Sequence, residues 1–249
     1  MSHAMPGFVP LSSPRTWAVP PVVKLFFAAD FIVAGAAVLA HVIAHHFGRE
    51  APDFFRLSRE SNLPTAYSGF QHAMVGVLFA CLAMREIKSS FRGWFIAIPA
   101  GLFLLFGLDE VGMIHERVTN FINAHSNSTM TAHGITNYAP AMFIGLPVAL
   151  IIAGIGAKLT RQYWYGRPKV CILFALGLAL FLGSAGVLEI LVNFFKDNQP
   201  LVSLETLVEE TGEMLGVTIV LWSAVELLIA EKLTIAFSRS GIRFGRDGE

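Results

Sequence analysis

Ionisable side chains inside long apolar runs are the first feature of this sequence. Asp30, His41, His45 and His46 fall in one run, His72 in the next, and Asp109, Glu110, His115 and Glu116 in a third. Glu189 follows in a fifth, and Glu205, Glu209, Glu210, Glu213 and Glu226 in a sixth. A charged group at the centre of a bilayer costs roughly 2.5 to 3.5 kcal/mol on insertion scales, so such groups mark function by default. Carboxylates mixed with imidazoles suit Zn, Fe or Mn better than Cu(I). The chemistry implied is that of a divalent metal that activates water or oxygen, with a spare carboxylate as base.

Spacing sharpens this. Asp109, His115 and Glu116 share the helix face of Gly112, whose missing side chain leaves room beside them. Glu205, Glu209 and Glu213 form an i, i+4, i+8 stripe, and a cation or shared protons would relieve its repulsion. His41 and His45 have the i, i+4 separation at which two imidazoles reach one ion. The expected metal set is Asp109, His115, Glu116, Glu189, Glu209 and Glu213, with His41, His45 and His72 as further candidates. Glu110 is expected to pair with Arg117 or to help position its helix, Glu205 and Glu210 to reach water, and Asp30 and Glu226 to neutralise Lys24 and Lys232. His41 and His72 would also allow bis-His haem ligation.

The elements that position these residues follow from composition. Of 249 residues 54% are hydrophobic and 14% charged, and the mean hydropathy is +0.60. Water is not the main solvent of such a chain. Apolar runs near the required length of about 20 residues occur at 22–47, 66–85, 93–117, 138–158, 170–194 and 206–230. The expected fold is therefore all-α, a polytopic membrane bundle of six transmembrane helices. Residues 1–21, rich in proline, form a leader; 22–236 form the bundle; 237–249 form a basic tail.

Thirteen of the 18 Lys and Arg lie before or at the start of the first run, between the second and third, between the fourth and fifth, or after the last, and five lie in the other connections. By the positive-inside rule both termini are cytoplasmic, in what we read as a bacterial inner membrane. The candidate site then lies near the outer face, where the Asn-rich segment 118–137 can cap it. Zero formal net charge gives no sign of nucleic-acid binding. Cys81 and Cys171 lie in apolar runs and form no redox motif. Leu108-Asp109-Glu110-Val111-Gly112 and Val208-Glu209-Glu210-Thr211-Gly212 each set an acidic pair two residues before glycine.

Ser68-x-x-x-His72 and His41-x-x-x-His45, with Asp109, resemble the Ser, His, Asp and His-x-x-x-His set of the alkaline ceramidase and adiponectin receptor superfamily of membrane zinc amidases. There the His-x-x-x-His motif comes last, on a seventh helix; here it comes first among six. The resemblance implies zinc rather than membership. The His-x-x-His-His box of membrane desaturases is missing. The sequence reading is a membrane metalloenzyme, hydrolase or oxidoreductase, acting on a lipid-like substrate. A metal-ion or proton-coupled transporter and a non-catalytic or haem-binding subunit are the alternatives.

Overall fold

The computed structural model describes residues 17–56, 62–87, 93–114, 117, 154, 158, 167–188, 191, 198–238 and 241–246. Five long helices carry the fold among these residues: α1 Pro21–His46, α2 Leu63–Ile87, α3 Gly93–Gly112, α4 Pro168–Gly183 and α5 Gln199–Ala230. Four of them, α1, α2, α4 with the turn that extends it, and α5, are long and apolar enough to cross a membrane. The run expected at 138–158 lies outside the described residues, apart from Gly154 and Lys158.

Local chemistry sets the helix starts. Pro21 and Pro168 occupy first-turn positions of α1 and α4, where a missing N–H costs nothing. Asn62 caps α2, its Oδ1 accepting from the Thr65 amide at 2.9 Å and the Thr65 hydroxyl at 3.0 Å. Asn198 caps α5 through the Leu201 amide at 3.4 Å. At 32 residues, α5 is about 48 Å long. It ends where Lys232 takes a φ of 51°. Two antiparallel strands follow, β1 Leu233–Ser238 and β2 Gly241–Arg246, in register from Leu233 with Arg246 to Ser238 with Gly241. This hairpin departs from the all-α expectation at the C-terminal tail, while the bundle itself is helical.

α2 packs along α3, and α4 along α5, while α5 also touches α1 and α2. Glycines permit the close approaches. A Cβ on Gly107 would lie 2.8 Å from the Gly69 carbonyl, and one on Gly216 would lie 2.5 Å from the Phe181 nitrogen. Small residues in this role let backbones meet in an apolar solvent. Val75, Phe79, Leu82, Val217, Val220 and Leu221 form the centre of the core. On the outside, Leu25, Phe31, Ile32 and Leu39 of α1 are all more than half exposed. Such a continuous apolar surface belongs in lipid.

One end of the bundle is tied by ion pairs. Glu231, after α5, meets Arg167 before α4 at 2.5 Å and Arg85 of α2 at 3.6 Å. Lys169 meets Glu226 at 2.7 Å and lies 5.3 Å from the Trp222 ring and 5.9 Å from that of Trp17. The approach to α1, the end of α2, the start of α4 and the end of α5 therefore share this paired end. Glu226 neutralises Lys169, not the expected Lys232: Lys169 sits one helix away at the right depth, whereas Lys232 has left the helix.

Candidate functional site

His72 fixes a level in the bundle. Its ring is 6.0 Å from those of Phe103 and Phe106 on α3 and 5.2 Å from that of Phe181 on α4, and Phe181 abuts Gly216 of α5. Nδ1 lies 2.9 Å from the Ser68 carbonyl, which can only accept, so Nδ1 carries the proton and Nε2 keeps its lone pair. Nε2 is buried without a hydrogen-bond partner, and the residue is fully enclosed.

One turn further from the paired end, Ser68 Oγ donates to Glu110 Oε1 at 3.3 Å, and Ser184 sits against Gly212. Glu110 thus reaches α2. Asp109 and Glu213, each one residue from these contacts, share this depth and are half-buried, as is Glu209 one turn on. At the same level α4 loosens into a π-helical turn, Ser184–Leu188, and Glu189 comes next. π-turns of this kind occur often at functional sites. Glu205 is buried at 7% exposure with Oε1 unpartnered, against the expectation that it reaches water: its stripe faces the bundle.

His115, Glu116 and Glu189 lie outside the described residues. Among the described residues no three His, Cys, Asp or Glu side chains come close enough to hold a metal. His41 and His45 are exposed on α1 and line a groove of about 480 Å³ with Ala37, Val42, Ser203 and Thr206. That groove runs between α1 and the first turns of α5, a setting distinct from the rings that enclose His72. Among the described residues Cys81 and Cys171 form no disulfide.

A second polar centre joins α1, α2 and α5, and the sequence reading missed it. Asp30 is fully buried. Its Oδ1 accepts from the Tyr67 hydroxyl at 2.7 Å and from Gln71 Nε2 at 2.8 Å. The other Gln71 N–H goes to Thr218 Oγ1 at 2.8 Å. Asp30 therefore does not neutralise Lys24, whose side chain is exposed; the carboxylate turns inward to neutral donors. The available signal is Asp30, the one acidic residue of α1, together with Gln71, a polar residue in the run that reads weakest as a span.

No curated protein and no solved structure matches the chain. One family model does match, over residues 25–228, and its description is domain of unknown function, DUF8692. The matched stretch begins within α1 and ends within α5, so it takes in the bundle and leaves out the hairpin.

Proposed function

We propose, for a chain that belongs to the DUF8692 family and takes no activity from that membership, that it is a membrane-embedded metalloprotein acting on a lipid-like substrate. The observation that carries this reading is His72. Its Nδ1–H is fixed by a backbone carbonyl and its Nε2 lone pair is buried and unused, the arrangement in which second-shell contacts hold a metal-ligating imidazole. Asp109 and Glu213 stand one turn away on α3 and α5, and the π-turn of α4 leads to Glu189. With His115 and Glu116 these are the residues that would hold Zn, Fe or Mn. Such an ion would supply Lewis acidity or an activated oxygen nucleophile. The chain's own part is to hold the carboxylates at one depth, and to keep bulk water away with Phe103, Phe106 and Phe181. The groove beside His41 and His45 offers an apolar path along α1 for an acyl chain.

The placement we infer is an inner membrane with six spans and both termini cytoplasmic, the paired end facing the cytoplasm. Arg85, Arg167 and Lys169 at that end support the orientation. α3 ends at the far end and α4 begins at the paired end. This supports a span at 138–158.

Metal analysis of detergent-purified protein tests the proposal, with Glu189→Ala and Glu213→Ala variants alongside. Stoichiometric metal in the parent and none in either variant is expected. Equally negligible metal in all three would sink it. A second reading, ion-coupled transport, is favoured by Asp30, which sits midway along α1 and would serve as a relay. Counterflow assays in proteoliposomes separate the two.

A further inference from the structure

The Asp30 centre has spare acceptors on two adjoining side chains. Oδ1 of Asp30 is saturated by Tyr67 and Gln71, but Oδ2 is buried without a hydrogen-bond partner, and so is Oε1 of Gln71. Asp30 is 0% and Gln71 1% exposed. The surrounding polar groups are oxygen or neutral amide: the Tyr67 hydroxyl, 3.1 Å from the Phe26 carbonyl, the Thr218 hydroxyl, and the Met214 carbonyl, 3.4 Å from Gln71 Nε2. Among the described residues no Lys or Arg forms a salt bridge with Asp30. An unsatisfied carboxylate oxygen and an unsatisfied amide oxygen, both in an apolar interior, carry a large desolvation cost.

We infer that this centre is a binding site for a monovalent hard cation, Na⁺, held between Asp30 Oδ2 and Gln71 Oε1 with Thr218 Oγ1 as a further oxygen. The donor chemistry decides the class of ion. Oxygen ligands without imidazole or thiolate select hard cations over transition metals. A single carboxylate among neutral oxygens balances one positive charge, whereas Ca²⁺ and Mg²⁺ sites gather more acidic ligands. The ion joins α1 to α2 and α5, so its binding tightens the packing of α1. This site is separate from the metal centre proposed above, and neither depends on the other.

The test is thermal unfolding of the full chain in detergent, in NaCl against choline chloride at equal ionic strength, with ²²Na⁺ binding to the same samples. A ligand that binds only the folded state raises the midpoint as its concentration rises. The expected result is a saturable shift of several degrees in NaCl and one Na⁺ per chain. Asp30→Asn should lose both, Gln71→Leu should need about tenfold more Na⁺, and Glu226→Gln at the paired end should keep the parent response. Equal midpoints in both salts with no bound ²²Na⁺ overturn the inference. So does a Na⁺ response that survives Asp30→Asn, or a midpoint that ignores Na⁺ and follows pH only while Asp30 is present, which would assign the site to a proton. Should Asp30→Asn fail to fold, the parent's ²²Na⁺ stoichiometry and the Gln71→Leu titration still decide.

Discussion

Glu226 and Glu231 at the paired end and Asp30 in the middle of the same bundle are carboxylates in opposite circumstances. The first two meet Lys169, Arg85 and Arg167; the third meets only neutral donors, Tyr67, Gln71 and Thr218, and its Oδ2 is left without a close hydrogen bond. At the end of a span, Lys and Arg reach the headgroup layer with their charge while their stems stay apolar. In the middle that option is closed, and a cation there has to be a bound one. Ion pairs therefore fasten helices where water is near, and an unpaired carboxylate in the interior is left free for a ligand.

The largest effect is expected from collapsing the middle of the bundle while the paired end stays intact. Gly216→Val sets a side chain against the Phe181 backbone, where even a Cβ would lie 2.5 Å from the Phe181 nitrogen. It should cost more than about 4 kcal/mol and prevent recovery of monodisperse protein in gel filtration. Wild-type yield and melting would mean that α4 and α5 do not cross there.

Next is Glu231→Gln, which removes the carboxylate that Arg85 and Arg167 share, while Arg85 keeps Glu86 at 3.8 Å. A loss of about 3 kcal/mol is expected from breaking a poorly hydrated pair, visible as a lower melting temperature in detergent. No measurable change would make the paired end ornamental.

Smaller again is the coupling of Lys169 with Glu226, about 1 kcal/mol in a double-mutant cycle of Lys169→Met and Glu226→Gln. Additive losses would show that Trp222, whose Nε1 donates to Glu226 at 3.1 Å, carries the contact instead.

Asp30→Asn should reverse the sign. The new amide can donate from the position of Oδ2 to the unpartnered Gln71 Oε1, so without Na⁺ the variant should be more stable than the parent by up to about 1 kcal/mol. A large destabilisation in choline chloride would place Asp30 with the structural carboxylates.

Part of this could be read along the chain. Apolar runs found the ends of α1 and α2 closely, because a helix in lipid must satisfy its own backbone groups over a fixed thickness. The acids of α3 and α5 were legible as a group, since placing Asp109 and Glu213 at one depth needs only helix rise and direction. Asp30, Glu226 and Glu205 were misread. Sequence neighbours such as Lys24 and Lys232 suggested partners, but azimuth and crossing angle choose between a near residue on the same helix and a distant one on another.

Membrane character and the rough positions of α1 and α2 were determined by the sequence alone, because hydrophobic thickness and a rise of about 1.5 Å per residue act locally. Which polar groups meet was decided only by the tertiary structure. Glycine contacts such as Gly107 on Gly69 and Gly216 on Phe181 set how closely and at what rotation the helices approach. That rotation brings Gln71 and Thr218 to Asp30 and surrounds His72 with three phenyl rings.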